Sequence, residues 1–260
     1  MINLQEIISN KKIELEARKQ LLSFDCLKEQ VSSLNLLEKK SFKDSITKQD
    51  KIKFITEIKK KSPSKGIINE DVNILDTAKI YEQSDAGAIS VLTDLKYFGG
   101  KLDYLKQVSL NVNLPCLCKD FIVDEYQIYE AKLYKASAFL IIAKVLTKEE
   151  IKSFLDTAEK LNLDALVEVH DLEDIEKIKD LNIKIIGINN RCLNDFSVDI
   201  NRSKDLFGYL DNNAVKISES GIYTREDVLF LENLGFDAVL VGTSLMQSSD
   251  IAGKLKELQG

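Results

Sequence analysis

The sequence predicts a (β/α)8 barrel, a TIM barrel of the α/β class, carrying an N-terminal helical extension. Three observations predict it. Eight short apolar segments alternate with amphipathic helical ones from Phe54 to Leu258. Strands that are apolar along their length, rather than at every second residue, belong to a parallel sheet covered by helices. Ionisable residues finish several of these strands, and a barrel collects its chemistry at the C-terminal strand ends. An open doubly wound sheet is the structural rival. Its Gly-rich fingerprint is missing, because the first strand runs into SPSKG rather than GxGxxG.

The elements follow in order. Residues 1–50 form the extension, and 51–260 the barrel, within one domain overall. Ile7, Ile8 and Leu15, then Leu34, Leu36 and Leu37, mark two helices that cover the barrel bottom or lean over its mouth. Phe42 to Asp50 reads as a polar linker. The first strand opens the stretch FITEIKKKSPSKG, Phe54 to Gly66, and Ser62, Pro63, Ser64 and Gly66 break it into a loop. A helix over Asn73–Ser84 follows, then a strand over Ala88–Thr93, a Gly-bearing loop at Tyr97–Lys101 and a helix over Leu102–Leu110. The third strand is Pro115–Cys118, ending at Lys119, with its helix at Glu125–Leu133. The fourth is Ala138–Ala143 with Lys148–Leu161, and the fifth Ala165–Val169 with Leu172–Leu181. The sixth is Lys184–Ile188 with Ser203–Leu210, and the seventh Ala214–Ser218 with Thr224–Leu234. Ala238–Val241 and Ile251–Leu258 complete the eight units.

Composition narrows the function. A net charge of −6 and a pI near 5.1 argue against general nucleic-acid or membrane-surface binding. No apolar run reaches membrane-spanning length, and MINLQEIISNKK has no signal-peptide core, so a cytoplasmic protein is expected. Cys26, Cys116, Cys118 and Cys192 lack zinc spacing and are expected to be reduced thiols.

Side chains alternate across a strand, so phase sorts the strand ends. Ile55, Glu57 and Lys59 share a face. So do Leu117 and Lys119, then Leu166, Glu168 and His170, then Ile185, Gly187, Asn189 and Arg191, then Val215, Ile217 and Glu219. Asn190 points away. The inward set is therefore Glu57, Lys59, Lys119, Glu168, Asn189, Arg191 and Glu219. Solvated salt pairs would not need one phase on five strands, and charges inside a barrel mouth must pair or meet a substrate. His170, the only histidine, reads as rim structure. Two Gly-bearing loops, Glu219-Ser220-Gly221-Ile222 and Gly242-Thr243-Ser244, follow the last two strands, where barrels commonly bind phosphate. Gly87, Gly187 and Gly235 read as turn or close-packing glycines.

With these residues assembled, the chain resembles the indole-3-glycerol phosphate synthase family, barrel enzymes of tryptophan biosynthesis. The segments that carry the resemblance are EIKKKSPSKG, SVLTDLKYFGG, PCLCKDFIVDEYQIYEA, ALVEVHD, IGINNRCL, SESGI and VLVGTSLM, which together cover the whole barrel. Cys192, Gly99 and Thr243 depart from the residues usual in the family.

The resemblance implies a carboxy-lyase. It would close the ring of 1-(2-carboxyphenylamino)-1-deoxyribulose 5-phosphate with loss of carbon dioxide and water. It implies no cofactor and no metal. By the same resemblance Lys119 is the acid for ring closure, with Glu57 orienting it. Lys59 contacts phosphate and serves as acid in dehydration, and Glu168 is the base. Asn189 and Arg191 hold the anthranilate part, with Ser62 near its carboxylate. Glu219 orders the lysines and binds hydroxyls, while Ser220, Gly221, Gly242 and Thr243 cradle phosphate. Phe98 and Phe121 wall the aromatic ring. The expected partner is this small phosphorylated molecule alone, with no nucleic acid or membrane, and the chain is expected to be a monomer or weak homodimer. Two other readings stand beside it: an Amadori isomerase barrel, whose chemistry resembles a Cys/Asp pair, and a non-catalytic phosphate-binding barrel.

Overall fold

The computed structural model describes residues 3–34, 41–193 and 195–260. Eight strands pair in parallel into a closed barrel. They are β1 (Lys53–Ile58), β2 (Ala88–Leu92), β3 (Cys116–Lys119), β4 (Ala138–Ile142), β5 (Asp164–Val169), β6 (Ile185–Asn189), β7 (Val215–Glu219) and β8 (Ala238–Val241). Their order around the barrel is sequential, and β1 closes it by pairing Lys53 with Ala238 on one side and Ile55 with Ala88 on the other.

The phase rule read from the sequence divides the core in two. Ile55, Leu117, Leu140, Leu166, Ile185, Ile217 and Leu240 belong to one buried cluster inside the barrel. Their strand neighbours Phe54, Cys118, Phe139, Ile141, Val167, Ile186 and Val239 belong to another, between the strands and the helical coat. A one-residue slip of any strand would exchange the two sets, so the apolar pattern also fixes the register.

Several coat helices start where a side chain accepts a backbone N–H that the helix itself cannot satisfy. Asn73, Asp124 and Asp171 do this for the coat helices Ile74–Gln83, Glu125–Leu133 and Leu172–Ile178. Thr147 and Thr224 form reciprocal capping boxes with Glu150 and Asp227.

The extension departs from expectation in one place. Phe42 to Asp50 is not wholly a linker, because Phe42–Ile46 is a helix capped by Ser41. Phe42 and Ile46 lie four residues apart, are fully buried and join the interior cluster. They close the barrel bottom, where Asp164 at the start of β5 accepts the Lys43 N–H at 3.0 Å and the Ser41 hydroxyl at 3.3 Å. The second helix is Phe24–Ser32, so Leu34 falls beyond it, and Leu36 and Leu37 lie outside the described residues.

The first helix, α1 (Leu4–Leu21), leans over the mouth. Ile7, Lys11 and Leu15 lie four residues apart on its buried face. The Lys11 ammonium lies 2.8 Å from Asp94, just past β2, and 2.8 Å from Asp120, just past β3. Burial alone would lower its pKa, but the two carboxylates overcome this and raise it, so Lys11 stays charged. The sequence reading passed over this lysine, although a charge in the middle of an apolar helical stripe was the visible sign.

Lys11→Met keeps the stem but strands two buried carboxylates. We expect a loss of about 3–5 kcal/mol in stability, read as an earlier urea midpoint. An unchanged midpoint would mean that the trio is not a working ion cluster.

Candidate active site

The barrel mouth holds a pocket of about 1070 Å³, counted out to its open rim. It gathers residues from every part of the sequence-level set: Glu57, Lys59, Ser62, Phe98, Lys119, Phe121, Glu168, Asn189, Arg191, Ser220, Gly221, Gly242 and Thr243. Glu219 is not among the lining residues and lies behind Lys119. Leu4 and Tyr223, which the sequence did not single out, also line the pocket, as does Ile7, which the sequence marked only as a helix residue.

Each charged group has a defined partner. The Lys119 ammonium donates to Glu168 Oε2 at 3.3 Å and, in a very short contact, to Glu219 Oε2. Lys59 donates to Glu57 Oε1 at 2.7 Å, and Ser90 donates to Glu57 Oε2 at 3.5 Å. Glu57 thus makes its direct bond to Lys59 and acts on Lys119 only through its field. Lys119 keeps 14% of its side chain exposed while Glu168 keeps 2%, so the ammonium is the member that reaches the cavity.

Proton affinities follow from this geometry. Burial alone would push Glu57 and Glu168 up, but Lys59 and Lys119 hold Glu57, and Lys119 with His170 and Asn189 hold Glu168, below the ordinary carboxylate range. Glu219 goes the other way. Its burial, together with the charge of Glu168, outweighs Lys119 and raises it. Burial also works against the Lys119 charge, but Glu219, Glu168 and Glu57 together raise its pKa. Two carboxylates around one ammonium therefore divide their roles, one firmly ionised and one nearer to holding a proton.

Gly187 is small for a reason. A Cβ there would overlap Glu219 Oε1 and sit 3.1 Å from Leu166 Cδ1. The close-packing reading of this glycine holds, and what packs against it is a carboxylate of the charged set.

The β6 and β7 loops are tied together from outside. Asn190 donates to Ser218 Oγ at 3.0 Å and to the Ser220 carbonyl at 2.9 Å, and accepts from the Ser203 hydroxyl at 2.8 Å. Inside, Asn189 Oδ1 accepts the Arg191 N–H at 2.9 Å. The Arg191 guanidinium donates to Ser64 Oγ at 3.1 Å and to the Phe196 carbonyl at 3.0 Å, bridging the loops after β1 and β6. Burial lowers its pKa from the ordinary arginine value. Ser220 and Gly221 take consecutive left-handed conformations, φ 68° and 80°, which fold the loop after β7 back on itself.

Two loops hold more structure than expected. Lys61–Ser62 and Gly66–Ile67 pair as a short antiparallel hairpin. The Tyr97–Lys101 region begins as a one-turn helix, Leu95–Phe98, capped by Asp94 and ended by Gly99 at φ 67°. Gly and Asn are the residues that suit such a left-handed helix end. This turn sets the Phe98 ring 6.1 Å from that of Phe121.

The profile of the family described as indole-3-glycerol phosphate synthase matches residues 4–258. The chain belongs to the indole-3-glycerol phosphate synthase family. It is 45% identical to the indole-3-glycerol phosphate synthase of Clostridium acetobutylicum over 95% of this chain and 93% of that one. With the namesake protein of Caldanaerobacter subterraneus subsp. tengcongensis the identity is 42%, over 98% and 96%. Among solved structures, 3-hexulose-6-phosphate synthase from Salmonella typhimurium superposes with a TM-score of 0.61 at 14% identity, over 80% of this chain and 97% of that one. That likeness concerns the barrel alone. Family membership makes the chain a carboxy-lyase of tryptophan biosynthesis.

Gly187→Ala should push Glu219 off Lys119. Overpacking of this kind costs about 1–3 kcal/mol, so the melting temperature should fall and a crystal structure should show the Glu219 carboxylate rotated. A variant that melts normally with Glu219 in place would refute the close-approach argument.

Proposed function

We propose that this pocket performs the family's ring closure with Lys119 as general acid and Glu168 as general base. The observation that carries the reading is the Lys119 ammonium. It is clamped between Glu168 and Glu219 yet open to a cavity walled on one side by Phe98 and Phe121. The ring carbon bearing the carboxylate attacks the ketone of 1-(2-carboxyphenylamino)-1-deoxyribulose 5-phosphate. Lys119 delivers a proton to the ketone oxygen as charge develops there. The carboxylate leaves as carbon dioxide, which regenerates the electron pair of the ring. Loss of a proton from the methylene carbon beside the nitrogen, now part of the new five-membered ring, and of the hydroxyl on the former ketone carbon, as water, gives the indole. Glu168, held ionised, accepts the first, and Lys59 protonates the second.

Binding falls to the remaining groups. Asn189 and Arg191 hold the anthranilate-derived part, with Ser62 near its carboxylate, since a guanidinium offers a carboxylate two parallel donors. Ser220, Gly221, Gly242 and Thr243 cradle the phosphate, and a Cβ at Gly242 would lie 3.0 Å from the Lys59 ammonium. Glu219 orders Lys119 from behind and reaches the substrate hydroxyls through that ammonium, while its own Oε1 packs against Gly187. We read the 1–50 extension and the 51–260 barrel as one working domain, because Leu4 and Ile7 line the same pocket. We also read the enzyme as cytoplasmic, acting as a monomer or weak homodimer on this one small phosphorylated substrate. No helix among the described residues is long and apolar enough to cross a membrane.

The isomerase alternative needs a Cys/Asp pair, and among the described residues that line the pocket there is no cysteine. Cys116 and Cys118 belong to the outer core instead, where burial pushes the Cys118 thiol up to about 12.

Indole formation, followed by absorbance on the synthetic substrate, tests the roles. Lys119→Met should lower kcat by about 10²–10⁴-fold with the fold retained. Near-normal turnover would remove Lys119 from the chemistry. Glu168→Gln should cost about 10²-fold or more in single-turnover rate with little change in substrate Kd. Early melting with normal turnover per folded molecule would make Glu168 structural. For Arg191→Ala the expectation is a raised KM with a smaller loss of kcat, and an unchanged Kd would count against its binding role.

A further inference from the structure

His170 has no part in the chemistry above. It is the only histidine of the chain, it follows Glu168 by two residues on the same face, and it is buried rather than set on a solvated rim. Its Nε2 lies 3.2 Å from Glu168 Oε1 and its Nδ1 lies 3.6 Å from Asp174 Oδ2. With a carboxylate beside each ring nitrogen, both contacts are ion pairs when the imidazole is protonated. Asp174 is fully buried in the first turn of the helix Leu172–Ile178, and its Oδ2 also accepts the backbone N–H of His170 at 3.0 Å. Asp174 therefore holds both the backbone and the ring of one residue. The other oxygen of Glu168 faces Lys119.

We propose that His170, backed by Asp174, is a positioning residue that fixes the Glu168 carboxylate and sets its proton affinity. The proposal rests on the reading of Glu168 as the general base. An Asp–His pair aimed at a carboxylate locks the side chain between two cations, one on each oxygen. It keeps Glu168 ionised to low pH and restrains its strength as a base.

The charges around the pair are mixed. Lys119 from β3 and Glu219 from β7 face Glu168, and Glu57 from β1 acts on both through Lys119. On the other side Lys177 lies 3.9 Å from Asp174, and Lys144 pairs with Asp171 at 2.6 Å. Burial alone would take the proton off His170, but Asp174 and Glu168 outweigh it and push the imidazole up to about 9. A raised pKa stabilises the fold fully below the ordinary imidazole value. That contribution fades as pH rises through about 9.

One histidine means one imidazole Cε1–H signal in the full-length protein labelled with ¹³C,¹⁵N-histidine. We expect that signal to titrate at least about one unit above the ordinary value, and Glu168→Gln to move the midpoint down. An ordinary midpoint, or one that ignores Glu168→Gln, overturns the proposal. In the kinetic arm, His170→Asn and His170→Gln should shift the acidic limb of kcat/KM upward by about one unit with KM little changed. Rates are taken per folded molecule, with a melting curve on each sample. A lower melting temperature with an unmoved limb makes His170 a packing group and overturns the proposal. Normal turnover by Glu168→Gln overturns the base reading and this proposal with it. Loss of turnover in Glu168→Gln beside an unmoved limb in the His170 variants overturns the proposal alone.

Discussion

The buried ammonium of Lys119 is the constraint that organises the mouth. An unpaired charge in such a place would be far too costly, so strands further round the barrel must bring carboxylates to it across the mouth. β5 supplies Glu168 and β7 supplies Glu219. Those carboxylates need room and countercharge in turn, which Gly187 and His170 provide from beneath and behind. Lys59 and Glu57 form a second pair across the cavity. Lys119 and Lys59 are thus already paired with carboxylates, while the Arg191 guanidinium is held by a hydroxyl and a carbonyl.

The barrel was legible in the sequence because both of its signals are local. Apolar strands and amphipathic helices show their periods within a few residues, and strand phase is a matter of parity. The inward set from Glu57 to Glu219 needed nothing more. Partners were harder to see. Whether Glu57 bonds Lys59 or Lys119 depends on barrel curvature, which no spacing encodes. Lys11 was missed because its partners are two loop aspartates, each distant in the chain, and only its position between Ile7 and Leu15 betrayed it. The one-turn helix at Leu95–Phe98 and the plug at Phe42–Ile46 were too short for a periodic signal to stand out from polar surroundings. Asp94 and Ser41 just before them were the available cues.

The extension is built into the working end as well as the base. Phe42 and Ile46 seal the bottom against Ile55 and Ala88, while α1 crosses the loops after β2 and β3 at the top. Those two loops carry Phe98 and Phe121. Lys11 therefore restrains the aromatic side of the pocket without touching it. Asp120 is the shared element, since it also takes the Thr93 hydroxyl at 2.6 Å and the Phe121 N–H at 2.8 Å.

Barrel closure by the first and last strands has a consequence for how the chain matures on the ribosome. β1 emerges early but finds one of its two neighbours only when Ala238–Val241 has been made. Lys11 leaves the exit tunnel before either aspartate that neutralises it exists. During synthesis α1 must therefore stay loosely held, and the growing sheet keeps an open edge at β1. Open edges invite pairing with other chains. Pairing of Ala238–Val241 with β1 completes the hydrogen bonding of the barrel and removes that open edge.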